Sequence, residues 1–470
     1  MKLEDIKKIY FIGIGGIGMS ALARYFNNRQ VEVFGYDRRV TTLTKKLVDE
    51  GMKIHFEDDI SQIPEGLDLV VFTPAIPNSH GELNYFLEND FPIKKRSEVL
   101  GIISRSKKTI GVAGTHGKTS TSSILTWMLK VGDVDCTAFL GGIAQNFESN
   151  FIEGKSDWVV IEADEYDRSF LQLNPDMSII LSMDADHLDI YGDVATLQKC
   201  FFDYASKTKP NGFVFVKDGL RMPFSKNGIT YGQFGIERGS YRAENVRVEN
   251  GYFVFDFSSW IENIDEIKIT LAGKHNVENA TAAIAVAQQL GIKGDDIKKA
   301  LASFKGIKRR FERVFDKDGI VYIDDYAHHP SELKVAIEAA KMLFPNNTIT
   351  GIFQPHLFSR TNDFVDGFAA ELDELDEVIL MDIYPARELP MEGVTSKIIF
   401  DKMKNPNKVM VIKSTLMDEL KSRKVEVLLT LGAGDIDTFV LKIKNWLNIQ
   451  KSKSISFGKK LQKQYQGIKL

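Results

Sequence analysis

Residues 107–130, KKTIGVAGTHGKTSTSSILTWMLK, constrain the chain more than any other stretch: an apolar run, a glycine-rich turn, then a helix opening on hydroxyl side chains. Residues 109–113 have the length and apolarity of a buried strand, and a strand feeding a helix through so short a turn is the repeating unit of an α/β sheet. Gly114 and Gly117 let the backbone of Gly114-Thr115-His116-Gly117 aim its amides at an anion. Lys118 adds a point charge, and Thr119 and Ser120 stand at the positive end of the helix, where the Thr119 hydroxyl suits Mg2+. Val112 occupies the place of the first glycine in the longer GxxxxGK[ST] loop, so this is a shortened phosphate cradle.

The beginning of the chain repeats the design. Residues 9–12 read as a strand, Gly13, Gly15, Gly16 and Gly18 as a tight turn, 19–27 as a helix, and 31–36 as a second strand ending at Asp37. Alone, this G-x-G-x-x-G order with an acid after the second strand reads as a nicotinamide site, and so as a dehydrogenase. A second phosphate cradle about a hundred residues later fits better an enzyme that uses ATP and one nucleotide-linked substrate. The strand 67–72, the turn Thr73-Pro74-Ala75-Ile76-Pro77 and the segment 96–106 continue the alternation, and the charged SRSKK at 104–108 reads as a linker.

The central region, 107–306, is richest in acids. Residues 157–161 predict a strand ending in Glu162-Ala163-Asp164-Glu165-Tyr166-Asp167, and 178–183 another ending in Asp184-Ala185-Asp186-His187. Strand carboxyl ends face the crevice of an open sheet, so both clusters should meet the cradle, with Glu162 and His187 as metal ligands. Glu165 and Asp167 read as helix caps or solvent-facing acids. Asn276 and Asn279 introduce an alanine-rich helix over 279–290, where each is either a cap or a reader of a base edge. Lys308-Arg309-Arg310 is either a solvated face or an arginine clamp.

A third α/β region spans 307–450. Strands at 320–323, 349–353, 378–381 and 427–431 end in Asp324-Asp325-Tyr326-Ala327-His328-His329, in Gln354-Pro355-His356 leading to Arg360, in Asp382-Ile383-Tyr384, and in Gly432-Ala433-Gly434-Asp435. Helix 332–343 is amphipathic. At most one of the adjacent His328 and His329 can face a ligand in extended backbone. The tail 451–470 has six lysines and no acid and reads as a poorly ordered extension.

At 470 residues the chain needs several domains, and its net charge of −4 argues against a nucleic-acid footprint. Two cysteines make no disulfide framework, and the first apolar run is broken by glycines, so neither a signal peptide nor a membrane association is expected. A cytoplasmic protein is the expectation.

GTHGKTST, EADEYD, DADH, GKHNVENATAA, RRFE, DDYAHHP, QPHLFSRT and LGAGD, in this order behind FIGIGGIGMSALA, resemble the Mur ligases over residues 8–448. The resemblance implies three α/β domains: a Rossmann-like UDP-sugar domain (1–106), a P-loop ATPase-type domain (107–306), and a Rossmann-like C-terminal domain (307–450) that binds the amino acid and closes. It implies ATP and Mg2+, and small-molecule substrates in which L-alanine is joined to the lactyl carboxylate of UDP-N-acetylmuramate through an acyl phosphate. The alternative within the family adds another amino acid or a murein tripeptide. By the same resemblance Gly13, Gly15, Gly16, Gly18, Asp37, Thr73, Ala75, Ile76 and Arg96 hold the UDP-sugar. Gly114, Thr115, His116, Gly117, Lys118, Thr119, Ser120, Asn276, Asn279, Arg310 and Asp324 hold ATP. Thr119, Glu162 and His187 hold metal, and Tyr326, His328 and Arg360 hold the amino acid. Lys118, Glu162, His187, Arg310 and His328 carry the catalysis, with His187 or His328 as the base. A monomer or weak homodimer is expected.

Overall fold

The computed structural model describes residues 3–185, 188–222, 229–249, 251–386 and 388–449. His187 and the tail 451–470 lie outside the described residues. The chain divides into two compact units, Met1–Ile307 and Lys308–Leu470.

The first unit holds two sheets. The smaller has five parallel strands in the order Lys53–His55, Glu32–Tyr36, Lys8–Ile12, Leu69–Phe72, Ile93–Lys95. Lys8–Ile12 is central and buried on both sides, which is why KIYFI is a continuous apolar run rather than an alternating one. The chain reverses direction of travel across the sheet between Lys8–Ile12 and Leu69–Phe72, and the crevice at such a switch point is where ligands sit. The turns that follow these two strands are Gly13–Gly16 and Thr73–Ala75.

The larger sheet has ten strands, in the order Ile264–Ile269, Tyr252–Ser259, Tyr241–Glu249, Thr230–Ile236, Phe213–Lys217, Met177–Ile180, Lys108–Ala113, Trp158–Ala163, Thr137–Ala144, Ser149–Ile152. Its middle is parallel and its two margins are antiparallel hairpins. Lys108–Ala113 lies between Met177–Ile180 and Trp158–Ala163, so both acidic strand ends flank the cradle. The helix Lys118–Val131 that follows it packs on Lys274–Gln289.

The expected linker at 104–108 is corrected. Helix Arg96–Ser106 runs to strand Lys108–Ala113 with Lys107 alone between them. Ser104 is fully buried and its hydroxyl accepts from Asn174 N at 3.1 Å, so the segment is tied into the fold at Ser104 while Arg105, Ser106 and Lys108 stay exposed. One apolar cluster joins Phe26, Val99 and Ile103 of the first region to Phe139, Phe170 and Tyr204 of the second. Asn150 donates to Ile17 O and to Ser20 Oγ (2.9 Å) and accepts from Arg24, whose guanidinium also forks onto Glu50 at 2.7 and 2.8 Å.

The second unit is a six-stranded sheet, in the order Glu312–Lys317, Ile320–Asp325, Val427–Leu431, Ile349–Phe353, Glu377–Met381, Lys408–Val411. Only the first pair is antiparallel. Separate apolar layers cover its two faces. Several elements are longer than expected at their polar ends. Glu162 lies inside Trp158–Ala163, Asp324 and Asp325 inside Ile320–Asp325, and Asn276 inside helix Lys274–Gln289. Neighbouring elements supply hydrogen bonds to Glu162, Asp324 and Asp325, whereas Asn276 is satisfied within its own turn by Ala272 O and Asn279. Conversely, the strand expected at 178–183 stops at Ile180.

Candidate active site

The cradle is built as its glycines require. Gly114 has φ +146°, and a Cβ there would lie 2.8 Å from Leu181 Cβ and 2.9 Å from Ser182 N. Gly117 caps the helix at φ +82°, where a Cβ would lie 2.5 Å from Asn279 Oδ1. Ser182 ties the loop down: its Oγ accepts from His116 N at 2.9 Å and lies 2.9 Å from Thr115 Oγ1, which itself accepts from Asp184 N at 3.2 Å. The His116 side chain is 70% exposed, 3.6 Å from Asp184. Ser120 stands in the first turn of the helix. Asn276 and Asn279 are both buried beside the loop. Asn279 Nδ2 donates to Asn276 Oδ1 at 3.1 Å and Asn276 Nδ2 to Ala272 O at 2.7 Å, which leaves the cap of this helix to Gly273.

Thr119 Oγ1 donates to Glu162 Oε1 at 2.9 Å, and Gly141 N donates to Glu162 Oε2 at 2.7 Å. Burial raises the Glu162 carboxyl above the usual range, against the charge of Lys118 and these two hydrogen bonds. Lys118 Nζ donates to Gly114 O at 2.7 Å and to both oxygens of Glu165, at 2.8 and 2.7 Å. Glu165 stands at the N-cap position of the turn Tyr166–Gln172, as expected, but its side chain neither caps that turn nor faces solvent, which corrects the rest of the expectation; it is 1% exposed. EADEYD offers four acids within six residues, and periodicity does not say which one turns to the lysine. Asp167 is likewise paired, with Lys95 at 2.8 Å.

The first glycine turn faces the same space. Gly13 (φ +84°) and Ile14 donate to Tyr36 O at 2.8 and 3.0 Å, and Gly15 N donates to Asp37 Oδ2 at 2.8 Å. A Cβ on Gly13 would lie 3.1 Å from Ile76 Cδ1, and one on Gly18 would lie 2.6 Å from Arg96 Nη1. Arg96 Nη2 donates to Asp164 Oδ2 at 3.3 Å. A cavity of about 310 Å3 is lined by Gly16, Gly18, Thr73, Ala75 and Arg96 on one side and by Gly141, Glu162 and Asp164 on the other. Gly13, Gly15, Asp37 and Ile76 support this wall without lining it. Gly141 carried no signal in sequence, and Asp164 stood out only as one acid of the strand-end cluster 162–167, because their roles come from the packing of two sheets.

In the second unit Asp324 is fully buried, accepts from Thr430 Oγ1 at 2.6 Å, and pairs with Arg309 at 3.1 Å. Arg309 also donates to Gly432 O, so the fixed cation of the RRFE segment is Arg309, while Arg310 is exposed and faces the Tyr326 ring at 6.0 Å. His328 Nδ1 lies 2.9 Å from Tyr326 O. Burial lowers the His328 pKa, opposed by Glu332 at 3.1 Å and aided by Arg360 and Arg310, which keeps the ring neutral at neutral pH. His329 instead caps helix Pro330–Leu343, accepting from Ser331 N. Arg360 lies in the short helix Phe358–Asp363.

Residues 8–108 match the Mur ligase family catalytic domain, 112–287 the Mur ligase middle domain, and 309–434 the Mur ligase glutamate ligase domain. The chain is 49% identical to the UDP-N-acetylmuramate--L-alanine ligase of Flavobacterium johnsoniae, covering 95% of this chain and 99% of the relative. It is 47% identical to the ligase of the same name from Cytophaga hutchinsonii, over 94% and 97% of the two chains. Among solved structures, the UDP-N-acetylmuramate-alanine ligase of Thermotoga maritima superposes with a TM-score of 0.80 at 29% identity, covering 95% of this chain and 99% of that one. A murein peptide ligase from Psychrobacter arcticus shares the fold, with a TM-score of 0.66 at 22% identity over 93% and 98%. Fold, cradle and matches together define an ATP-dependent ligase that joins a carboxylate to an amine. The chain belongs to the Mur ligase family, with its three-domain α/β fold.

Proposed function

We propose that this protein joins L-alanine to the lactyl carboxylate of UDP-N-acetylmuramate, with ATP cleaved to ADP and phosphate, in bacterial peptidoglycan precursor synthesis. One observation carries the reading: the cavity of about 310 Å3 is walled by the first glycine turn and by Glu162, which is hydrogen-bonded to the helix of the second. A nucleotide sugar held at the first turn extends its carboxylate toward a phosphate held at the second. The higher similarity to alanine-adding relatives than to the murein peptide ligase favours a free amino acid over a tripeptide.

A carboxylate is a poor electrophile and is activated as an acyl phosphate, which an amine then attacks. Lys118 and the amides of 114–117 bind and orient the triphosphate, with Asn276 and Asn279 beside the adenine. Arg96 and the turn Gly13–Gly18 orient the sugar nucleotide, with Thr73, Ala75 and Ile76. Thr119 and Glu162 are adjacent hard-oxygen donors, which fits Mg2+, and among the described residues no group of three His, Cys, Asp or Glu could hold a metal without help from phosphate or water. When bound between Thr119 and Glu162, Mg2+ would supply charge neutralisation at phosphate oxygens. His187 is retained as a further metal ligand by resemblance alone. In the domain 307–450, Tyr326, His328 and Arg360 receive the amino acid, Arg310 serves the nucleotide with the buried Asp324 acting only through its partner Arg309, and the neutral His328 accepts the proton of the incoming ammonium. Domains 1–106 and 107–306 serve the UDP-sugar and ATP. No described helix is long and apolar enough to cross a membrane. A cytoplasmic enzyme, monomeric or weakly dimeric, fits the reaction.

A phosphate-release assay tests the reading. Release is expected only with ATP, UDP-N-acetylmuramate and L-alanine together. Equal rates with glycine, serine or a tripeptide would replace alanine as the substrate.

A further inference from the structure

Just beyond strand Trp158–Ala163, three acids each hold a cation: Asp164 holds Arg96, Asp167 holds Lys95, and Glu165 holds Lys118. The third pair has no part in the reaction as described above, yet it sits on the cradle's own lysine. An ammonium has three hydrogens. Gly114 O at 2.7 Å and the two Glu165 oxygens at 2.8 and 2.7 Å take all three, so Lys118 must release a partner before it can touch a phosphate oxygen. The backbone of Glu165 is anchored, so its carboxylate can follow the lysine only by side-chain rotation. Its carbonyl accepts from the Tyr191 hydroxyl at 2.5 Å and from Arg168 N at 2.9 Å, and the turn after it passes through two left-handed residues, Asp167 and Arg168, at φ 52° and 54°. Burial raises the Glu165 carboxyl and the charge of Lys118 opposes this, as for a desolvated anion that depends on that cation. A phosphate entering the cradle therefore competes with a buried carboxylate on an anchored backbone, and a departing one returns the cation to it.

We infer that Glu165 is a positioning residue that acts as a latch on Lys118, weakening ground-state binding of nucleotide and hastening ADP release. The inference rests on the assignment of residues 114–119 to ATP. Glu165→Gln keeps the shape and removes the charge, so Lys118 is left to the phosphates. ADP affinity, measured by calorimetry in Mg2+ buffer, is expected to tighten fivefold or more. Stopped-flow release of a fluorescent ADP should slow to match, and the KM for ATP and kcat should fall together. Glu165→Asp, which withdraws the carboxylate by one methylene, should move the same readings in the same direction by less, and it decides the matter if Glu165→Gln does not fold. ADP affinity that is unchanged within twofold, or weaker, in the folded variants would overturn the latch, since a merely structural acid weakens binding when removed. A parent protein that binds no ADP would instead overturn the cradle assignment itself.

Discussion

At the scale of single residues, the decisive pairs are buried charges, and their worth depends on what is left when one is removed. Lys118→Ala should lower turnover by about 100- to 1000-fold, as for loss of one electrostatic stabiliser. It should also destabilise the fold by about 3–5 kcal/mol, because Glu165 is then buried without its cation. Adding Glu165→Gln should restore most of that stability and none of the activity. Denaturation midpoints and turnover of the single and double variants would show this, and retention of near-normal turnover by Lys118→Ala would remove the cradle assignment. Asp325 gives a pH signature. Burial pushes its carboxyl up to about 6, against Arg310 and the amides of Ala327 and Phe311 at 2.7 and 2.6 Å. Because the folded-state value is raised, ionisation costs the fold: the cost is absent below about pH 4 and grows as pH rises to about 6. It is constant above that, at no more than about 3 kcal/mol. Parent stability relative to Asp325→Asn should therefore fall between these limits in pH-resolved urea titrations, and a flat difference would refute the assignment.

At the scale of elements, what the sequence made legible was local. Strand 349–353 and strand 427–431 were readable to the residue because apolar runs meet glycine or proline turns there, and both glycine turns announced themselves by spacing. Tertiary partners decided the rest. Asp324 looks like a loop acid but lies in a strand because Thr430 and Arg309 satisfy it, and Arg309 rather than its neighbour is the anchored cation for the same reason. The helix Arg96–Ser106 was hard to read because Arg96, Glu98 and Arg105 interrupt the apolar signal of Val99, Leu100 and Ile103, and the rest of its buried face is small or polar, Ser97, Gly101 and Ser104. Gly101 tests this directly, since a Cβ there would lie 2.6 Å from the backbone oxygen of Gln172. Gly101→Ala should destabilise the protein by about 1–3 kcal/mol, although alanine is the better helix former. A melting temperature equal to or above the parent's would show that Gly101 does not lie against the Gln172 carbonyl.

At the scale of the whole molecule, both glycine turns and the cavity they share belong to the unit Met1–Ile307. A fragment of residues 1–307 should fold and still bind ADP through the cradle, up to about tenfold more weakly because Arg310 is missing, yet form no product, since the residues assigned to the amino acid lie in the second unit. Calorimetry and phosphate release check the two halves of this statement separately. Loss of ADP binding in a folded fragment would mean that the second unit completes the nucleotide site.

The single residue between helix Arg96–Ser106 and strand Lys108–Ala113 has a practical corollary for recombination. Grafting the first hundred or so residues of a relative onto this chain would tear the shared apolar cluster and strand Asn150, Asp164 and Asp167 without their mates. The interchangeable cassette is the entire stretch up to Ile307, and chimeras spliced there should express where those spliced at Lys107 aggregate.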